Sequence, residues 1–130
     1  MRALRAMLAG AGGFLLLVVV ASPGYAQMTP LLSPLVLDAE SYFSLDWQTG
    51  QAGGRTVVRG TIRNTSDYRA RRIQLLIEGL DASGTVVNQR VEWLGSDLTP
   101  THRIHFESPV GGPAASYRVR VFAFDPIRPT

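Results

Sequence analysis

Cysteine and lysine are both absent from the 130 residues. Without cysteine there is no disulfide and no thiolate zinc site, so an exported domain of this composition must be held together by burial alone. The missing cysteine also excludes lipid attachment of the bacterial lipoprotein kind. The absence of lysine leaves arginine as the whole basic complement, which we assign to a GC-rich genome rather than to anion recognition. Histidine is scarce: only His102 and His105 are present. Their spacing of three puts them on opposite faces of a straight strand, so they do not chelate one ion there. The nucleophile elbow, the phosphate loop, the dinucleotide fingerprint and the His-Glu-x-x-His metal motif are all missing. No enzyme activity and no cofactor are expected.

What is present begins with an export signal. Arg2 and Arg5 precede the apolar run Met7 to Ala21, Ser22-Pro23-Gly24 breaks it, and Gly24-Tyr25-Ala26 places small residues before Gln27. This order predicts a cleavable signal peptide over 1–26, with an apolar run shorter than the roughly 18–20 residues of a membrane span. Removing Arg2 and Arg5 from the 13 arginines leaves 11 against 10 acidic residues, a net charge of about +1. That balance does not fit a nucleic-acid-binding protein. A leader over 27–41 follows, with Pro30 and Pro34 set among Leu31, Leu32, Leu35, Val36 and Leu37.

From there period-two alternation dominates. Phe43, Leu45 and Trp47 alternate over Tyr42 to Trp47, and three glycines make a loop of Gln48 to Gly54. Strands are expected at about 55–64, 71–80, 85–94, 102–107 and 117–124, with turns at Asn64 to Asp67, Asp81 to Gly84, Gly95 to Pro100 and Pro109 to Ala115. Val58, Gly60 and Ile62 share one face of their strand, while Val57, Arg59, Thr61 and Arg63 share the other. Gly60 marks a bulge or a close backbone approach. Ile73, Leu75 and Ile77 point inward, with Gln74, Leu76 and Glu78 outward. Turn signals at this spacing predict an all-β antiparallel sandwich of about seven strands over 42–125, with 126–130 as a tail. Tyr117 is placed for a tyrosine corner, and Val119 stands where an antibody domain carries its second cysteine, facing Val58 or Ile62.

The pattern apolar-x-Gly60-x-Ile62-x-Asn64, then alternating residues, then Gly79-Leu80-Asp81-Ala82-Ser83-Gly84-x-Val86-Val87, resembles the small secreted bacterial domains of the FxLYD type. The resemblance covers roughly 42–125 and implies an immunoglobulin-like sandwich with no catalytic residues. The positions of the Phe-x-Leu-Tyr-Asp signature are Ile77, Gly79, Leu80 and Asp81, of which Asp81 is retained.

Three functions compete. The first is a secreted or periplasmic module that binds a protein or cell-envelope component. Its surface is an outer sheet face carrying Leu76, Arg118, Arg120, Phe122 and Phe124, since alternation opposes these last four to Tyr117, Val119, Val121 and Ala123. Two phenylalanines and a leucine there require a cover: the leader, the tail or a partner. The leader prolines favour the partner. The second is a sugar- or polymer-binding accessory domain using Trp93. The third is a metal-dependent enzyme around His105 and Glu107. A charged strand face explains that pair more simply, just as solvated charges explain Asp38, Glu40 and Asp46. Asn64-Thr65-Ser66 matches a glycosylation sequon, but a turn accounts for it.

Overall fold

Gly53 and Gly54 both adopt positive φ (59° and 76°). Two such residues close a tight hairpin whose twist matches its strands. They join β1 (Phe43–Ala52) to β2 (Arg55–Asn64), and the ladder runs unbroken from Ala52↔Arg55 to Phe43↔Asn64. The expected loop of 48–54 is therefore a two-residue turn. Beyond Trp47 the side chains of β1 are polar or small and leave the core, so hydrophobic alternation stops while backbone pairing continues. On the other side of β2 lies β5 (Arg103–Pro109), giving an antiparallel sheet of order β1-β2-β5. Pairing passes through Gly60 on both sides, so no bulge occurs there. The glycine marks a close approach. A Cβ at this position would fall on the Asp46 carbonyl oxygen and lie 2.9 Å from the Phe106 ring.

The computed structural model describes residues 31–128, so the expected signal peptide, residues 27–30 of the leader and residues 129–130 lie outside the described residues. The second sheet is built on β3 (Arg69–Leu80), flanked by β4 (Val86–Trp93) and β6 (Ser116–Ile127) in the order β4-β3-β6. Between β3 and β4, the Asp81 carboxylate accepts hydrogen bonds from the Ser83 hydroxyl (2.7 Å), the Thr85 N–H (2.9 Å) and the Ser83 N–H (2.9 Å). These bonds, the Ser83 hydroxyl foremost, hold the carboxyl below its ordinary range. Gly84 completes the turn at φ 88°.

The pairing of β6 with β3 changes the face of one expected site residue. Gln74 pairs with Ala123, but Leu75 pairs with Val121, which leaves Phe122 as an extra residue. A bulge of this kind shifts the alternation by one. Upstream of it, Val119 and Val121 point inward as expected. Downstream, Phe124 rather than Ala123 enters the core. The strand also continues through Ile127, opposite Arg69, so Pro126 and Ile127 are strand rather than tail. Among the described residues β6 is an edge strand, where a residue without an N–H is tolerated.

The two sheets enclose one apolar cluster. Val58, Ile62 and Phe106 enter it from the first sheet, and Ile73, Leu75, Ile77, Val119, Val121 and Phe124 from the second. The protein is thus an all-β, sandwich-like fold of two three-stranded antiparallel sheets, six strands among the described residues. Polar links close both flanks. At one, the Trp47 Nε1–H donates to the Tyr117 carbonyl (2.9 Å). At the other, buried Ser108 on β5 donates to Glu92 (2.7 Å) and accepts from Arg90 (3.1 Å), both on β4.

The leader from Leu32 onward belongs to this unit. After a 3-10 turn at Ala39–Ser41, Tyr42 packs on the core, as do Val36 and Ala39 before it. The Leu35 N–H donates to the Phe122 carbonyl (2.8 Å). The Leu32 backbone makes a reciprocal pair with the Gln89 side-chain amide (both 2.9 Å).

Asn64, in the sequon, is fully buried. Its Nδ2 donates to the carbonyls of Tyr68 (2.7 Å) and Leu98 (2.9 Å), and its Oδ1 accepts from the Ser66 N–H (2.9 Å) and hydroxyl (2.8 Å). Every hydrogen-bonding position of the amide is used. Asn64→Ala strips two carbonyls and a turn of their partners and is expected to cost about 2–4 kcal/mol. Asn64→Asp, which keeps the acceptor but loses both donors, is expected to cost no less. Chemical denaturation of the two variants measures this, and wild-type stability in either contradicts a buried structural role.

Candidate functional site

The outer face of the second sheet is organised by a buried carboxylate. Glu78 lies on the central strand β3, paired with Gln89 on β4 and Arg118 on β6. Its Oε1 accepts from Arg118 (Nε and Nη2, both 2.9 Å) and from Arg120 (Nε 3.0 Å, Nη2 2.9 Å). Its Oε2 accepts from Gln89 (2.9 Å). A carboxylate this buried requires such charge-assisted bonds, because its own desolvation is costly. The two guanidiniums remain half-exposed, so the cluster presents a net positive, pre-oriented surface.

The five residues expected on this face do not all lie there. Arg118, Arg120 and Phe122 do, and Phe122 is half-buried at the bulge. Phe124 does not. It is 8% exposed and points between the sheets, with its ring centroid 4.8 Å from that of Phe43 and 5.0 Å from that of Tyr42, both edge-on. Leu76 is on the outer face, between Val91 and Arg120, but is 0% exposed and has no surface to offer a partner. Part of the cover lies within the chain, since the leader meets this face at Leu32 and bonds the adjoining edge of β6 at Leu35.

Trp93 is the residue that the alternation argument left off this face. It is paired with Gln74 and is 58% exposed. Its strand reverses the usual pattern. Gln89, Val91 and Trp93 face outward, while Arg90 and Glu92 face the other sheet, where they meet Ser108. An edge strand allows this, because inward charges there still reach water and a polar partner. The signal was visible as the strict alternation of Val91 and Trp93 with Arg90 and Glu92, read in the opposite phase.

The outer face of the first sheet is polar. His105 Nδ1 lies 2.9 Å from the Thr61 hydroxyl, and Glu107 is paired with Arg59 (3.1 Å) rather than with His105. His102 Nδ1 is engaged with the Thr99 hydroxyl (2.6 Å). Among the described residues, no three His, Asp or Glu side chains are grouped to hold a metal ion. Nor is any described helix long and apolar enough to cross a membrane.

Comparison of the chain with family models, with curated proteins and with solved structures gives no match.

Proposed function

We propose that the chain is an exported, non-catalytic interaction module of the immunoglobulin-like, FxLYD-resembling kind, which binds a protein or cell-envelope component through the outer face of the second sheet. The observation that carries this reading is Trp93, more than half exposed on a face that also presents Arg118, Arg120 and Phe122. Tryptophan and arginine are the side chains that most often anchor interfaces, whereas an isolated domain gains nothing by exposing an indole. The immunoglobulin-like assignment is supported by the strand order β1-β2-β5 over β4-β3-β6 and by the Tyr117 hydroxyl, which donates to the Gly112 carbonyl five residues upstream (2.7 Å). Export, with a secreted or periplasmic destination, rests on the order of residues in 1–26.

A second reading, carbohydrate or polymer binding, is favoured by the same indole, which lies beside the polar Gln74. Trp93→Ala separates function from stability. The side chain is exposed, so the melting temperature should stay within a few degrees of wild type, consistent with about 0.5 kcal/mol or less for a surface change. Envelope proteins that co-purify with the wild type should be lost from the variant. Retention of every co-purifying protein would refute the interaction face, and wild-type binding on a glycan array lost in Trp93→Ala would assign it to sugars.

A further inference from the structure

β6 is paired with β3 on one side, and among the described residues no strand pairs with its other edge. That edge already takes two isolated hydrogen bonds. The Leu35 N–H donates to the Phe122 carbonyl (2.8 Å), and the Trp47 indole donates to the Tyr117 carbonyl (2.9 Å). Between these two points, Val119 to Val121 line a groove of about 460 Å³ between β6, β1 and the leader. Its walls are apolar: Val36, Phe43, Leu45, Val119 and Val121. An open strand edge beside an apolar groove is the arrangement that receives an added strand, with main-chain bonds supplying affinity and a pocket supplying selectivity.

The rim of the groove selects by charge. Asp38 and Glu40 both line it, both are exposed, and neither forms an ion pair among the described residues. Arg120, the one cation lining it, is committed to Glu78. The leader bond at Phe122 is a one-residue precedent for backbone added at this edge. We propose that the groove binds an extended, basic peptide segment of a partner protein. The segment pairs its backbone with β6 at Val119 to Val121. One apolar side chain enters between Phe43, Leu45 and Val121, and a flanking lysine or arginine meets Asp38 and Glu40. This site borders the face around Trp93 at Arg120 but does not depend on it.

Amide chemical shifts of the purified protein test the proposal, with three synthetic probes: Lys-Val-Thr-Val-Lys, the same peptide with glutamate for lysine, and a fully N-methylated lysine peptide. The lysine peptide should shift the amides of Val119, Arg120 and Val121. The glutamate peptide should bind about tenfold more weakly, the scale of two surface ion pairs made rather than opposed. The N-methylated peptide, which keeps its carbonyl acceptors but has no backbone N–H to donate to the edge, should bind at least about tenfold more weakly. Asp38→Asn combined with Glu40→Gln should reduce the lysine-to-glutamate preference to about twofold or less without changing the melting temperature. No shift at Val119 to Val121 with millimolar lysine peptide, or equal binding by the N-methylated peptide, overturns the proposal. So does concentration-dependent broadening at these amides without peptide, which would assign the groove to a second copy of the chain.

Discussion

Ile62→Asp is expected to abolish folding, while Thr61→Asp, its neighbour on the same strand, is expected to yield a folded protein. Ile62 is 0% exposed and lies in the cluster between the sheets. Removing the side chain alone costs about 2–5 kcal/mol. Leaving a carboxylate there without a partner adds several more, of order 3–5 kcal/mol. Since a small domain has a total stability of about 5–15 kcal/mol, the sum consumes most or all of it. Thr61 points the other way, between Asp46 on β1 and His105 on β5. A carboxylate at this position opposes Asp46, a like-charge pair worth at most about 1 kcal/mol in water, and can accept from His105 Nδ1–H where the Thr61 hydroxyl now lies at 2.9 Å. The imidazole on its other side offsets part of that. Circular dichroism melts and amide shift dispersion distinguish the two variants. Equal damage from both would place Thr61 and Ile62 on the same side of the sheet and invalidate the inward and outward assignment.

The inward sets of β2 and β3 could be read directly, because Val58 and Ile62, and Ile73, Leu75 and Ile77, each repeat at the period of a strand and each face one core. Gly60 was also legible as an exception, although its reason, the Asp46 carbonyl and the Phe106 ring, lies on other strands. The register of β6 was not legible. The extra residue at Phe122 arises from how Val121 and Ala123 pair with β3, and nothing in β6 itself records it. Burial at Leu76 was hidden for a related reason. Alternation assigns a side chain to a face, but exposure depends on what neighbouring strands and a distant leader place above it. At β4 the usual rule that apolar residues face inward fails outright. Ser108 gives Arg90 and Glu92 a partner between the sheets, and Trp93 is turned to the outside.

The bulge makes the two phenylalanines unequal, and their truncation should show it. Phe124→Ala removes a ring that packs edge-on against Phe43 at 82° and Tyr42 at 61°. The loss should be about 3–5 kcal/mol, the range for a buried aromatic. For a domain of this length that lowers the melting temperature by roughly 12 °C or more. Phe122→Ala should cost no more than about 1.5 kcal/mol, since the ring is only half-buried and the Leu35 bond is to the backbone carbonyl, which alanine retains. Removing residues 27–37 falls between the two. It deletes the Leu35 bond, the Leu32 pair with Gln89 and the packing of Val36 on the core, and it uncovers the outer face around Phe122. The truncated chain should therefore melt earlier and, with more apolar surface in water, self-associate. Thermal melts of the three proteins, with light scattering on the truncation, give the order. If Phe122→Ala is as damaging as Phe124→Ala, the extra residue of β6 lies elsewhere. If the truncation melts like the full chain, the leader is not the cover of this face, and the partner reading gains.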